Sequence, residues 1–147
     1  MLFTGQFEKT LDDKRRVALP KKYRDVFGGE EIKMLYLTPG LDKSLAIYDE
    51  QTFSRLAEKL LVQSESQTDG RHFLRNFSSR SEQIEIDKQG RFCVPDKSME
   101  FASLGKEVVF VGMIDHVELW DTQRWKSYEQ EKTPEFDRFA EQIWQKK

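Results

Sequence analysis

Of 147 residues only one is cysteine and two are histidine, and these shortages exclude a good deal. Cys93 has no internal disulfide partner, which suits a reducing compartment. Set in an apolar run, it reads as a small buried hydrophobe rather than a reactive thiol. His72 and His116 stand in no metal-ligand spacing, so no metal site is expected and both are placed at the surface. No nucleophile motif, phosphate-binding loop or dinucleotide fingerprint appears, so the sequence points away from an enzyme and requires no cofactor. Glu82, Glu85 and Asp87 lie close together along one stretch, which suits a solvated strand better than acid–base catalysis. Long apolar runs are missing too. The longest, Val108 to Ile114, has seven residues, against the ~20 that span a bilayer. Met1-Leu2-Phe3-Thr4-Gly5 leads directly into polar sequence rather than a secretory leader, so a cytoplasmic location with no membrane partner is expected.

Strong net charge is also absent. The formal total is -2, too little for a crude polyanion binder, but its distribution is uneven. Lys9, Lys14, Arg15, Arg16, Lys21, Lys22 and Arg24 outnumber Glu8, Asp12 and Asp13 before position 25, which leaves a basic start on an acidic body. Such a chain meets a polyanion with one face.

What the chain does contain is the same unit twice. Leu11-Asp12-Asp13-Lys14-Arg15-Arg16-Val17-Ala18-Leu19-Pro20 aligns with Ile86-Asp87-Lys88-Gln89-Gly90-Arg91-Phe92-Cys93-Val94-Pro95, 75 residues later. Both read apolar, Asp, three polar or turn residues, Arg, three apolar residues, Pro. Leu45-Ala46-Ile47-Tyr48-Asp49 then matches Val117-Glu118-Leu119-Trp120-Asp121, and Phe53 and Trp125 each follow the Asp by four. Period-two runs predict short strands over Phe7 to Leu11, Val17 to Leu19, Ile84 to Ile86 and Phe92 to Val94. Pro20 and Pro95 open short helices over Lys21 to Phe27 and Asp96 to Leu104, stopped by Gly28-Gly29 and Gly105. Asp49 and Asp121 are N-cap candidates for longer helices. Gln63 to Gly70 reads as a loop, and Arg71 to Phe77 as a short helix. Phe136, Phe139, Ala140, Ile143 and Trp144 recur at helical spacing after Thr133-Pro134, for a helix docked on its own body or on another subunit. The expected organisation is a first half over 1–62, a connecting loop and short helix over 63–80, a second half over 81–132 and a C-terminal helix over 133–147.

The shared Asp-x-x-x-Arg turn points to nucleic acid. Asp12 and Asp87 can fix the turn by accepting local backbone N–H groups or by pairing with its arginine. A guanidinium can bridge phosphate oxygens or hold guanine O6 and N7 with two hydrogen bonds. Lys14, Arg15 and Arg16 place three cations in succession at an expected hairpin tip. A two-stranded ribbon fits a major groove, with Lys9, Lys21, Lys22 and Arg24 able to hold phosphates nearby. The second copy offers only Lys88 and Arg91, so DNA reading is assigned chiefly to the first. Gly90 suits a turn position of positive φ, whereas Arg15 at the matching place is a less comfortable choice.

These two motifs, with Leu2-Phe3-x-Gly5 and Glu118-Leu119-Trp120-Asp121, resemble the bacterial MraZ family over nearly the whole chain. The resemblance implies a β-rich α+β fold of the AbrB-like, swapped-hairpin type, with two homologous halves forming one pseudo-symmetric β core flanked by helices. It also implies a nucleoid-associated repressor of the division and cell-wall operon containing its own gene. That repressor binds direct repeats in double-stranded promoter DNA as a ring-shaped homo-oligomer, an octamer or a dodecamer. On the matching positions its turn motif falls on Asp12 to Arg16 and Asp87 to Arg91. The alternative is an antitoxin-like protein-interaction module of the same fold. Two fold copies and a tail with helical periodicity count against that reading.

Overall fold

The structure is a computed structural model, and it describes residues 2–144, so positions 145–147 of the expected C-terminal helix lie outside the described residues. The first copy contributes β1 (Gln6–Thr10), β2 (Arg16–Ala18), α1 (Lys21–Phe27), β3 (Met34–Pro39), β4 (Leu45–Tyr48) and α2 (Glu50–Ser64). A helix α3 (Thr68–Arg80) leads to the second copy, β5 (Glu82–Glu85), β6 (Arg91–Cys93), α4 (Asp96–Phe101), β7 (Glu107–Gly112), β8 (Val117–Asp121) and α5 (Thr122–Lys132). Helix α6 (Phe136–Ile143) follows.

The strands on either side of each turn do not pair with one another. β1 pairs with β7, and β5 with β3, so each copy lends its first strand to the other. With β4 against β8 the result is a six-stranded antiparallel sheet in the order β1-β7-β8-β4-β3-β5. The short strands form a separate ribbon, β2 with β6, in which Arg16 faces Cys93, Val17 faces Phe92 and Ala18 faces Arg91. This register reads the same from either half, so Val17–Phe92 sits on a pseudo-two-fold axis. The expected hairpin tip is therefore a corner between two sheets, because the pairing partners come from the other copy.

Alternation decides which side chains enter the core. Val17, Leu19, Phe92 and Val94 point from the ribbon onto Leu35, Leu37, Leu45, Ile47, Val108, Phe110, Val117 and Leu119 of the large sheet, all of them buried. Tyr23 of α1 closes one side. Its hydroxyl donates to the Gly5 carbonyl at 2.6 Å and its ring meets Phe3 and Phe7 edge-on. Cys93 follows the inward Phe92, so alternation turns it outward; it is exposed, not buried as its apolar surroundings suggested. The sheet's other face carries aromatic stacks under the longer helices. Phe53 of α2 stacks on Tyr36 and on Phe77 of α3, while Trp120 meets Trp125 and Tyr128 of α5.

Both N-caps form as expected: Asp49 Oδ1 accepts from Thr52 N–H at 2.8 Å, and Asp121 Oδ2 from Arg124 N–H at 3.3 Å. Gly28 ends α1 at φ +135°. Helix α4 ends differently from expectation. Ser103 takes the left-handed turn at φ +50°, and Leu104 N–H reaches back to the Met99 carbonyl at 3.0 Å. Gly105 instead donates to Asp121 Oδ1 at 2.8 Å. His116 is tucked in rather than surface-placed: its ring stacks on Tyr48 at 4.8 Å and Nδ1 meets Asp115 at 2.8 Å.

The stretch 63–70 is mostly helical rather than a loop. Only Glu65 to Gln67 separate α2 from α3. Gly70 stands where the chain crosses closely; an added Cβ would lie 2.8 Å from Ser64 Cα. Helix α6 is not docked on its own body. Phe136, Ile143 and Trp144 are more than half exposed.

In an open helix Gly→Ala stabilises by about 1 kcal/mol. At position 70 the clash with α2 reverses the sign, and Gly70→Ala is expected to lose roughly 1–3 kcal/mol in urea unfolding. A gain in stability would contradict this packing.

Candidate nucleic-acid interface

The two turns are built from the same hydrogen bonds. In the first, Asp12 Oδ1 accepts from Lys14 N–H at 2.9 Å and Arg16 N–H at 2.8 Å, and Asp12 Oδ2 accepts from Arg16 Nε at 2.8 Å. In the second, Asp87 Oδ1 accepts from Gln89 and Arg91 N–H, both at 2.9 Å, and Oδ2 from Arg91 Nε at 3.1 Å. Backbone bonds close both loops: Arg15 N–H to the Asp12 carbonyl and Gly90 N–H to the Asp87 carbonyl, each 2.9 Å. A carboxylate is needed because only two acceptor oxygens on a short stem reach two backbone donors and a guanidinium at once. Backbone N–H donation from Arg16, with its guanidinium and Lys14 N–H, holds the Asp12 carboxyl below its ordinary range. Arg91 and Gln89 act likewise on Asp87.

Each carboxylate engages only the Nε of its arginine. The Nη groups of Arg16 and Arg91 have no protein partner among the described residues, so the carboxylate aims a guanidinium whose outer edge stays open. Arg16, Ala18, Arg91 and Cys93 alternate with the buried Val17 and Phe92, so both arginines stand on the outer face of the ribbon. They are diagonal neighbours there, an arrangement with separations of about 7–8 Å. Lys14 and Lys88 are exposed in their turns.

The other expected residues are placed less simply. Arg15 takes up the left-handed conformation at φ +62°, matching Gly90 at +79°, so the first turn has the same shape despite its side chain. Its guanidinium reaches into the second half, with Nε donating to the Val94 carbonyl at 3.3 Å and Nη2 2.9 Å from Asp96 Oδ1. Lys21 pairs with Asp25 at 3.0 Å, and Lys22 donates to Thr4 Oγ1 at 3.2 Å. Lys9 shares a face of β1 with Phe7, turned toward the core side and half-buried, away from the ribbon's outer face. Arg24 lies against Gly90 of the second turn. No local signal in the sequence joins these two, since 66 positions separate them.

A second group of titratable side chains lies on the helical face of the sheet. Burial, with Asp115 and Glu118 nearby, pushes the Tyr48 hydroxyl up to about 12. Burial also raises Glu118, which accepts from Trp120 Nε1 at 2.9 Å. Among the described residues no group of three or more His, Cys, Asp or Glu could hold a metal ion, and no helix is long and apolar enough to cross a membrane.

The chain matches, over residues 2–76 and again over 77–145, the sequence profile of a family described as "MraZ protein, putative antitoxin-like". It is similar to three proteins each named Transcriptional regulator MraZ. That of Finegoldia magna is 34% identical over 140 residues, covering 95% of each chain. That of Moorella thermoacetica is 35% identical over 142 residues, covering 97% of this chain and 96% of the relative. That of Mycobacterium avium is 38% identical over 129 residues, covering 88% and 87%.

Because the folded state depresses both aspartates, their contribution is complete above the ordinary carboxylate range and disappears as pH falls through the depressed folded values. Asp12→Asn and Asp87→Asn should each be less stable than wild type at neutral pH. The gap should close as pH falls below about 4. Thermal melting across pH measures it; a gap that widens in acid would refute the assigned bonds.

Proposed function

This chain belongs to the MraZ family, and from that premise we propose that it is a DNA-binding transcriptional regulator. It grips double-stranded promoter DNA through the outer face of the β2–β6 ribbon and the two turns at its ends. The observation that carries this reading is the pair of Asp-anchored turns, each aiming an arginine whose Nη edge is unoccupied. Arg16 and Arg91 contact bases or phosphates, and Lys14 and Lys88 hold phosphates beside them. Arg15 assists only by exchanging Asp96 for a phosphate. Lys9 and Lys21 act through the local field. The chain performs no catalysis in this reading.

The protein represses the operon for division and cell-wall synthesis that contains its own gene, on direct-repeat boxes, as a ring of eight or twelve copies on the nucleoid. Few cations per subunit support a multimer, since several weak contacts on one duplex become effectively intramolecular. The bare apolar face of α6 gives such a ring a surface to use. That same bare face, with the antitoxin-like description of the family, favours a second reading as a protein-interaction module. Copurification with a small nuclease would support that alternative.

Binding to a duplex from the region upstream of the native gene should weaken steeply with salt, because every phosphate contact releases counterions. Arg16→Ala should abolish specific binding while leaving the melting temperature near wild type, since Asp12 keeps its two backbone donors. Fluorescence anisotropy from low to high salt tests both; unaltered affinity in Arg16→Ala would sink the assignment.

A further inference from the structure

The halves exchange charge as well as strands. The first turn lies beside α4 of the second half, where Asp96 neutralises Arg15. The second turn lies beside α1 of the first half: Leu19 N–H donates to the Gly90 carbonyl at 2.9 Å. Arg24, on α1, covers Gly90 so closely that a Cβ there would stand 2.7 Å from Arg24 Cδ and Cζ. Gly90 is buried in consequence, whereas its counterpart Arg15 is exposed.

The two neighbouring helices are unlike in charge. Together the first turn and α4 hold Lys14, Arg15, Arg16 and Lys97 against Asp12, Asp13, Asp96 and Glu100, which leaves no net charge. The second turn and α1 hold Lys88, Arg91, Lys21, Lys22 and Arg24 against Asp87 and Asp25, which leaves +3. The sole carboxylate of α1, Asp25, is taken by Lys21. The Arg24 side chain has no ion-pair or hydrogen-bond partner among the described residues, and its Nε is buried without one. The matching position on α4, four residues after Pro95, is the apolar Met99. A part-buried guanidinium without a counter-ion, beside an exposed lysine and an open arginine, suits a phosphate.

We infer that Arg24 is a phosphate-binding residue of the second turn, delivered by the first half, and that the second turn with α1 supplies the larger share of the attraction for DNA. The inference rests on the DNA-binding reading and reverses the weighting that the basic triplet Lys14-Arg15-Arg16 suggests.

The full chain is titrated by anisotropy with two labelled duplexes, one from the region upstream of the native gene and one of scrambled sequence and equal composition. Arg24→Met should bind both several-fold more weakly, with a salt slope shallower by about one, and should melt like wild type. Arg24→Lys should keep the slope. Arg15→Met should lose less, because Asp96 already neutralises it. Should Arg24→Met melt early, Arg24→Gln carries the same comparison. Wild-type affinity in Arg24→Met, a smaller loss there than in Arg15→Met, or a loss on the native duplex alone would each overturn the inference. If Arg16→Ala loses binding while Arg24→Met keeps it, the DNA-binding reading survives and this inference does not. If the wild type shows no salt-dependent binding, both fall.

Discussion

The fold depends on one pairing, Val17 against Phe92 in a ribbon of three residues per strand. Neither copy of the repeat can complete a sheet alone, because β1 and β5 each find their partners in the other copy. The ribbon ties that exchange together at its centre. Its inner face supplies Val17, Leu19, Phe92 and Val94 to the shared core, and its outer face is left for the arginines. Packing and presentation are thus two faces of the same strands. A shift of one residue in register would bury Arg16 and Arg91 and expose the core.

The carboxylates of Asp12 and Asp87 extend this order into the turns. Each replaces missing sheet hydrogen bonds at a corner where the chain leaves one sheet for another. The same atoms that close the corner also orient a guanidinium, so the turn's shape and the direction of its charge are fixed together. This explains why Arg15 tolerates a left-handed conformation that Gly90 accepts freely: the surrounding bonds over-determine it, and contacts to Val94 and Asp96 offset part of the strain.

Much of this was legible in the sequence where the signal is local or repeated. The 75-residue offset exposed the duplication, the proline positions located α1 and α4, and Asp49 and Asp121 marked helix starts that their hydrogen bonds bear out. The strand exchange follows from resemblance, not from periodicity, because alternation states which face is buried and not which strand is the neighbour. Cys93 departs from its apolar surroundings because alternation with Phe92, and not composition, sets the face it occupies. The loop expected over 63–70 is largely helix, since polar composition does not reveal the crossing of α2 and α3 at Gly70. Arg24 over Gly90 lay beyond local reading altogether, as did Arg15 beside Asp96; both are contacts between halves made only once the fold exists.

A symmetric dimer of this ribbon would look identical from both ends, and a duplex laid across it could arrive either way round at equal cost. Joining the copies in one chain removes that equivalence. The two sides then need not match, and Gly90 with Arg24 on one side differs from Arg15 with Met99 on the other. The consequence is polarity: one end of each subunit differs from the other, so an elongated ligand has a preferred heading on its surface. Copies set side by side along such a ligand can all share that heading, as marks along a ruler do.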